Sequence, residues 1–278
     1  MVLLDKPAGP TSHDLVARAR RALGTRAVGH AGTLDPFATG LLVLLIGKAT
    51  RLARFAGNQP KTYLATAVLG ERTDTDDATG TALPGGPGPV PVDRAEVARA
   101  IARFRGTAPQ RPPAFSAKKV GGVASYRRAR RGEAVALAPV DVTVHAIELA
   151  DWTPPRVTFR ATVSAGTYIR ALARDLGEAL GCGAHLVALR REAIGALRVE
   201  EAVPPEAVGP TAVLPARRAV AHLPAVELDG VAAAAVAHGR PVPGGAGLEG
   251  HVALLAGGEL AAVARAEGGV LRPEVVLS

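Results

Sequence analysis

The sequence is poor in cysteine, methionine and aromatic residues. Its 278 residues include one Cys, one Met and nine Phe, Trp or Tyr. A single cysteine, Cys182, excludes an internal disulfide framework and a cysteine-based zinc site. The sustained apolar run at residues 41–46 is far shorter than the ~20 residues that cross a bilayer. We expect no secretory signal at the start, so the sequence favours a cytoplasmic protein without a membrane partner.

Common signatures of metal and nucleotide sites are also absent. The seven histidines include no pair at the spacing of metal ligands. The chain contains neither the phosphate-binding pattern GxxxxGK[ST] nor a serine nucleophile elbow. We therefore expect no metal and no cofactor.

Basic residues outnumber acidic ones, with 33 Lys and Arg against 25 Asp and Glu and a net charge of +8. Arginine accounts for 28 of the bases. A GC-rich genome would explain this excess without any function. Arginine is nevertheless the better phosphate ligand, because its planar guanidinium binds two oxygens at once. The composition favours a nucleic acid as partner without establishing it.

The positive charge is unevenly distributed. Residues 1–226 carry +11, whereas residues 227–278 carry −3. Residues 99–131, which we call the basic stretch, contain ten bases and no acid. Such a block repels itself unless an anion lies beside it, which makes it a candidate phosphate-binding surface.

The order of helix and strand signals indicates the fold class. Thr11 or Ser12 is placed to cap one helix, and Asp93 another. Segments rich in Val, Thr and Ile predict strands at residues 61–69, 140–149 and 156–163. Because helices and strands do not alternate regularly, we predict an α+β fold around a largely antiparallel mixed sheet.

The last part of the chain has a different character. Five prolines between residues 204 and 224 predict a linker. Beyond it, short apolar runs are separated by glycine pairs at residues 257–258 and 268–269, which are typical of β-hairpins. We predict a small all-β module at the end of the chain.

Residues 29–40 form the most unusual segment and place Asp35 on a predicted turn. Three glycines in twelve residues permit backbone conformations that other residues avoid. Pro36 favours an extended conformation at Asp35, and the apolar strand that follows would anchor the turn in the core. The segment is suited to presenting a reactive carboxylate. An ordinary turn aspartate is the alternative.

Two further residues attract attention. Thr167 is placed to cap a helix whose third residue would be Arg170, where the positive end of the helix dipole disfavours a cation by ~0.3–1 kcal/mol. Arg170 therefore suggests an anionic partner, with a surface arginine at a frayed helix start as the alternative. Tyr63, at the start of a predicted strand, is either ordinary packing or a platform on which a base stacks.

Together these segments resemble the TruB family of tRNA pseudouridine-55 synthases. The resemblance covers essentially the whole chain with its motifs in one order, which makes it specific. The motifs are LLDKPAGPTS at residues 3–12, GHAGTLDP at 29–36, KTY at 61–63, GERTDTDD at 70–77, PPAFSAK at 112–118, YRRAR at 126–130, GTYIR at 166–170 and CGAHLVALRR at 182–191.

The resemblance implies a fold and a function. It implies a pseudouridine synthase catalytic domain at residues 1–222, with a basic RNA-binding insertion at about 104–133, and a small PUA-like β-barrel that binds RNA at residues 223–278. It implies an isomerase that flips uridine 55 out of the T loop of tRNA and converts it to pseudouridine. A monomer that needs no cofactor and no obligatory protein partner is expected.

The resemblance also implies residue roles. Asp35 would be the nucleophile, Arg170 its ion-pair partner and Tyr63 the ring stacked on the flipped uracil. The residues implied to bind the substrate are His30, Asp77, Tyr168 and Leu189. Those implied to bind RNA are Lys118, Lys119, Arg127, Arg128, Arg130 and Arg131. Lys6 belongs to the first motif but receives no chemical role.

Several alternatives stay open at this point. Asp35 is compatible with attack at C6 of the base, attack at C1′ of the sugar, or abstraction of a sugar proton. A guide-RNA-dependent synthase shares the catalytic motifs but would need additional basic segments, which this sequence lacks. A non-catalytic RNA-binding or tRNA-folding protein would use the same basic surface, although the joint presence of Asp35 and Arg170 argues against it.

Overall fold

The computed structural model describes residues 1–84, 88–91, 93–115, 119–120, 123–124 and 137–277, with backbone alone for 119–120 and 123–124. Five of the six predicted RNA-binding residues, Lys118, Arg127, Arg128, Arg130 and Arg131, lie outside these ranges, and the side chain of Lys119 does too. Their assignment therefore stays a prediction. In the described part of the chain, no helix is long and apolar enough to cross a membrane.

The described elements mix helices and strands, as predicted. The helices are α1 (Ser12–Ala22), α2 (Ala53–Gly57), α3 (Arg94–Ala102), α4 (Ile169–Ala179) and α5 (Gly230–Ala237). The strands are β1 (Val2–Lys6), β2 (Val28–His30), β3 (Thr39–Ile46), β4 (Lys61–Leu69), β5 (Gly106–Gln110), β6 (Lys119–Val120), β7 (Val123–Ala124), β8 (Val140–Thr153), β9 (Arg156–Val163), β10 (Ala184–Ile194), β11 (Leu197–Arg198), β12 (Ala225–Glu227), β13 (Val242–Pro243), β14 (Gly250–Ala256), β15 (Glu259–Glu267) and β16 (Val270–Val276).

The chain forms two compact units. The first unit is Met1–Gln59 with Ala193–Ser278, and the second is Pro60–Glu192. In the first unit, β3 pairs antiparallel with both β1 and β2. In the second, the strand order is β10-β4-β9-β8-β5, in which β9 pairs antiparallel with β4 and with β8, and β8 pairs antiparallel with β5. The predicted α+β class with a largely antiparallel sheet is confirmed.

The predicted helix caps are present in both units. The Thr11 side chain accepts a hydrogen bond from Asp14 N, and the Asp14 carboxylate accepts one from Thr11 N, which forms a capping box at the start of α1. Asp93 accepts from Ala95 N and caps α3. These bonds satisfy backbone donors that the helices themselves leave open.

The proline-rich segment is not the linker that the sequence predicts. Residues 199–220 contain short 3-10 helices, and Val208, Ala219 and Val220 are buried. Leu214 N donates to Met1 O at 2.7 Å, which ties this segment to the start of the chain. Proline accordingly stiffens a packed segment here, because it fixes φ and has no backbone N–H that would need an acceptor.

The last part of the chain contains a five-stranded sheet in the order β12-β14-β15-β16-β13. The predicted hairpin is confirmed, since Gly257 and Gly258 both have positive φ and join β14 to β15. The all-β prediction is wrong in one respect, because α5 lies between β12 and β13. A run of Ala and Val has no strand-like alternation, and Asp229 caps it by accepting from Ala232 N. Whether the sheet forms a PUA-like barrel, with a boundary at residue 222, stays a prediction.

This sheet shares its core with the start of the chain. One cluster of buried side chains joins Leu3 and Val43 of the N-terminal strands to Val263 and Val275 of β15 and β16. Arg51 Nη1 donates to Val276 O at 2.8 Å beside this core. The acidic tail is thereby integrated into the first unit.

Helix α4 and strand β10 approach each other closely in the second unit. A Cβ atom at Gly177 would lie 2.2 Å from Ala184 N, so only glycine permits this approach. The buried face of α4 includes Ile169, Leu172 and Leu176. The helix that carries Arg170 is therefore held firmly against the sheet.

Candidate active site

Asp35 lies in the first unit, on the loop between β2 and β3. Its backbone carbonyl accepts a hydrogen bond from Ala38 N at 3.1 Å, which closes a tight turn, as predicted. Its side chain is half-buried, whereas the neighbouring Leu34 and Ala38 are buried. The turn is thus anchored on both sides of a partly accessible carboxylate.

Lys6, to which the sequence assigned no role, stabilises this turn through hydrogen bonds to backbone carbonyls. Its side chain is fully buried, and Nζ donates to Pro7 O at 2.9 Å, Pro36 O at 3.0 Å and Ala38 O at 2.7 Å. A buried ammonium is tolerated only when its donors are satisfied. Two of these three carbonyls lie within the three residues that follow Asp35, so Lys6 fixes the backbone on that side of the carboxylate.

Ser12 holds the other end of the turn. Its Oγ accepts from Leu34 N at 2.9 Å and donates to Leu34 O at 3.1 Å. Gly9 N donates to Pro36 O at 2.9 Å in between. Ser12 was predicted only as a helix cap, so its contact with Leu34 was not foreseen from the sequence. The density of small and polar residues in LLDKPAGPTS was the available signal.

His30, the second site residue in the first unit, is the last residue of β2. It pairs with Leu44 of β3 and is half-buried. It lies five residues before Asp35, on a strand that the same sheet fixes.

Arg170 lies near the start of α4 in the second unit and has an anionic partner, as its position suggested. Its Nη1 lies 3.3 Å from Asp77 Oδ2, and both side chains are more than nine-tenths buried. The helix begins one residue later than predicted, with Tyr168 instead of Thr167 as its N-cap. Arg170 is therefore the second helical residue. Because both charges are buried, the stability of the pair depends on further hydrogen bonds that compensate for the loss of solvation.

Asp77 is held by a compact set of hydrogen bonds. Its Oδ1 accepts from Thr75 Oγ1 at 2.8 Å, Thr79 N at 2.9 Å and Thr79 Oγ1 at 2.5 Å. Thr73 Oγ1 donates to Asp77 O at 2.7 Å. The carboxylate is thus oriented toward Arg170 by its own loop, residues 73–82, which we call the acidic loop.

Tyr63, Leu189 and Tyr168 occupy three different elements of the second unit. Tyr63 is on the buried face of β4, opposite Ala161 of β9. Leu189 is buried on β10. The backbone of Tyr168 is held by Gln110, whose Oε1 accepts from Tyr168 N at 2.8 Å and whose Nε2 donates to Tyr168 O at 3.1 Å. Gln110 was not singled out from the sequence.

Burial perturbs two charged side chains near these residues. It raises the pKa of Asp76 to about 6, opposed by the charges of Arg174 and Arg170. It also lowers the pKa of Lys61 to about 8, with a further contribution from the charge of Arg191. Perturbed groups of this kind are frequent at functional sites.

The structure assigns the predicted residues to two groups. Asp35 and His30 belong to the first unit, and Tyr63, Asp77, Tyr168, Arg170 and Leu189 belong to the second. Within the second, Arg170 and Asp77 are in direct contact. The predicted pairing of Asp35 with Arg170 stays a prediction. Among the described residues, no group of three or more His, Cys, Asp or Glu side chains is arranged to hold a metal ion.

Comparison with protein families gives two matches that together span residues 20–214. The model of the TruB family pseudouridylate synthase (N terminal domain) matches residues 20–169. The model of the tRNA pseudouridylate synthase B C-terminal domain matches residues 170–214. The matched range contains both Asp35 and Arg170.

Relatives in three bacteria are named tRNA pseudouridine synthase B. The protein of Thermobifida fusca is 45% identical, with 100% of this chain and 98% of that protein covered. That of Gloeobacter violaceus is 44% identical, with 99% and 97% covered. That of Burkholderia lata is 42% identical, with 99% and 88% covered.

Two solved structures are similar over nearly the whole chain. A chain of the "Structure of H/ACA RNP bound to a substrate RNA containing 2'-deoxyuridine" gives a TM-score of 0.77 at 28% identity, covering 100% of this chain and 84% of that one. A chain of the "Crystal Structure of a Cbf5-Nop10-Gar1 Complex" gives 0.77 at 30% identity, covering 99% and 84%.

Proposed function

Because the chain belongs to the TruB family of pseudouridylate synthases, we propose that it converts uridine 55 in the T loop of tRNA to pseudouridine. The reaction breaks the N1–C1′ bond, turns the uracil and joins C1′ to C5. The hydrogen on C5 leaves as a proton, and N1 gains one. The reaction is an isomerisation, so it consumes no cosubstrate.

The fixed presentation of Asp35 carries this proposal. A nucleophile that bonds to a substrate and then leaves must be both accessible and precisely placed. The Asp35 side chain is half-buried, while hydrogen bonds from Lys6, Gly9 and Ser12 hold the backbone on both sides of it. An ordinary turn aspartate requires no such support.

Arg170 is the proposed ion-pair partner of Asp35. A guanidinium close to a carboxylate lowers the carboxylate pKa and keeps it ionised for attack. Arg170 is itself rigid, because Nη1 donates to Thr75 O at 2.9 Å and Nη2 donates to Phe115 O at 2.8 Å. Asp77 orients it further through the buried ion pair.

The remaining site residues are proposed to bind the flipped uridine. A target base must leave its stack before it reacts, and an aromatic face restores ~1–3 kcal/mol of the lost stacking energy. Tyr63 is proposed to supply that face. Tyr168 and Leu189 are proposed to line the base pocket with Asp77, and His30 to contact the opened T loop.

The RNA-binding surface is proposed to include the basic stretch. Lysine and arginine side chains that neutralise phosphates release counterions, so binding should weaken steeply with salt. Replacing Arg127, Arg128, Arg130 and Arg131 by Ala should weaken tRNA binding and reduce its salt dependence. An unchanged salt slope would place the RNA surface elsewhere.

Tritium release from tRNA labelled at uridine C5 tests the function, because C5 loses its hydrogen when it bonds to C1′. The purified protein alone should release tritium from a tRNA transcript with uridine 55 and not from a transcript with cytidine there. Asp35→Asn should abolish release while tRNA still binds. Asp141→Asn, at an exposed position on β8, is the matched control and should leave release unchanged.

Each alternative gives a different result in this assay. Comparable release by Asp35→Asn would contradict the role of Asp35. Release from the cytidine-55 transcript would contradict the target position. Binding of tRNA without any release would favour a non-catalytic RNA-binding protein.

A further inference from the structure

Arg174 has no part in the proposed reaction, yet its side chain connects three segments. It lies one helical turn after Arg170, on the same face of α4. Its Nη1 donates to Asp76 Oδ2 at 3.0 Å, and its Nη2 donates to Arg111 O at 3.0 Å. Its Nε donates to Asp175 Oδ1 at 2.9 Å. Arg174 therefore joins α4 to two distant parts of the chain.

Arg170 joins α4 to the same two parts. One is the acidic loop, through Asp77 and Thr75 O, and the other is the segment that ends at Phe115. We call residues 110–115 the root segment, because the six predicted RNA-binding residues follow it in the chain. Two arginines one turn apart thus bridge the acidic loop and the root segment.

Gln110 adds a third connection at the beginning of the root segment. Its buried amide makes two hydrogen bonds with the backbone of Tyr168. The root segment is consequently fastened at both ends and at Arg111. Each fastening point lies on or next to the first turns of α4.

The backbone of the acidic loop places one carboxylate beside each of the two arginines. Asp76 has a φ of +60°, a conformation that aspartate tolerates better than most residues. Its carbonyl accepts from Leu186 N at 3.0 Å, which fixes this conformation. The consecutive carboxylates of Asp76 and Asp77 therefore pair with Arg174 and Arg170 respectively.

We propose that Arg174 is a positioning residue for RNA binding, which with Asp76 fastens the root segment to α4 so that the chain enters the predicted RNA-binding residues from a defined place beside Arg170. The inference rests on the proposed function insofar as its ligand is tRNA. Arg174 is a poor candidate for a phosphate contact, because its side chain is only 18% exposed and its three nitrogens already donate to protein acceptors.

The expected benefit is a lower free-energy cost of placing the predicted RNA-binding residues. A group that contacts a ligand costs less to position when the chain leading to it is already fixed. Loss of Arg174 should therefore weaken tRNA binding without removing a phosphate contact. Turnover of bound tRNA should change little, because Arg170 keeps Asp77, Thr75 O and Phe115 O.

Filter binding and tritium release with Arg174→Met test this proposal. We expect the Kd and KM for tRNA to rise roughly fivefold to tenfold, whereas kcat falls less than threefold. The slope of log K against log salt should be unchanged. Arg127→Ala, by contrast, should reduce that slope by about one. Arg156→Met, at an exposed position on β9, is the matched control and should change neither quantity.

Asp76, the ion-pair partner of Arg174, provides an independent test of the effect on tRNA binding. Asp76→Ala should also weaken binding, and combining it with Arg174→Met should weaken binding less than the two effects multiplied. If circular dichroism shows that Arg174→Met does not fold, Arg174→Lys and Asp76→Ala are compared instead. Arg174→Lys keeps the charge and should recover part of the affinity.

Three outcomes would overturn the proposal: an unchanged Kd, a salt slope that falls by about one in Arg174→Met, or fully multiplicative effects of the two variants. Failure of the proposed function has a separate signature. If the unaltered protein binds tRNA with the expected variant pattern but releases no tritium, the proposed reaction fails and the role of Arg174 stands.

Discussion

Arg170 and Asp77 form an ion pair with 3.3 Å between Nη1 and Oδ2, and neither side chain is more than 7% exposed. Charges buried this deeply are stable only with nearly complete hydrogen bonding. Asp77 meets this requirement through Thr75 and Thr79, and Arg170 donates to two backbone carbonyls. The pair therefore fixes the acidic loop to α4 as well as orienting the arginine.

Asp77→Ala should lower both stability and activity. Removing one partner of a buried pair costs on the order of 3 kcal/mol, because the other charge stays in a poorly solvated site. Urea unfolding measures this loss, and tritium release should fall by at least tenfold in the folded protein. Asp141→Asn, which alters an exposed carboxylate on β8, is the control and should cost less than about 1 kcal/mol.

Arg170→Ala should impair turnover more than RNA binding. Its predicted action is on the ionisation and placement of Asp35, not on a phosphate. Single-turnover tritium release should fall by more than a hundredfold, with less than a fivefold change in the Kd for tRNA. A loss of affinity that matches the loss of rate would contradict this role.

Ser12→Ala should reduce turnover by loosening the turn that carries Asp35. The substitution leaves the buried Leu34 amide without its Oγ acceptor, which costs about 1–3 kcal/mol. Thr11→Ala is the matched control, because it removes the exposed N-cap of the same helix at a cost of about 1 kcal/mol, and the Thr11 hydroxyl bonds to Asp14 instead of to Leu34. Equal effects of both variants on kcat would show that helix stability, not the turn, is responsible.

The pH dependence of stability should reveal the raised pKa of Asp76. Its pKa is about 6 in the folded protein and about 4 when unfolded, so the folded state binds more protons between these values. The contribution of Asp76 to the free energy of unfolding therefore falls as pH rises from 4 to 6. Arg174, Arg170 and Asp175 face this carboxyl and are retained in the test variant.

Urea unfolding of the unaltered protein and Asp76→Asn from pH 4.5 to 7.5 measures this contribution. The stability of the unaltered protein relative to the variant should decrease with rising pH, by on the order of 2 kcal/mol in total. The exposed Asp141→Asn should show no such trend. A relative stability that is constant or rises with pH would contradict the raised pKa.

Local patterns predicted much of this fold. Enrichment in Val, Thr and Ile located β4 and β9 with their observed bounds, and glycine pairs located the turns of the last sheet. Motif order predicted the family and the pseudouridine synthase fold, both of which the comparisons confirm. These features depend on neighbouring residues or on a short string of residues.

Contacts between distant residues could not be predicted in the same way. From its neighbours in the sequence, Lys6 resembles a surface lysine. Its burial depends on the carbonyls of Pro36 and Ala38, about thirty residues later in the chain. Asp76 and Arg174 are separated by 98 positions. Adjacent acids at 76–77 and arginines spaced by one helical turn were the only local signals, and many surface helices share them. The proline-rich segment was misjudged because burial of its apolar side chains depends on strands elsewhere in the chain.

Removal of residues 223–278 should destabilise the whole first unit. Val263 and Val275 share one core with Leu3 and Val43, and their loss would expose apolar surface on the N-terminal strands at about 25 cal/mol per Å². The tail is also fastened at its edge, where Arg54 pairs with Glu274. We expect the shortened chain to aggregate or to unfold at much lower urea concentration, as measured by size-exclusion chromatography and urea titration.

A shortened chain that is monomeric, unfolds cooperatively at the original midpoint and releases tritium would establish instead that the tail is a separable domain. Glu249→Gln, an acidic substitution in the tail outside the shared core, should leave stability within about 0.5 kcal/mol of the unaltered protein.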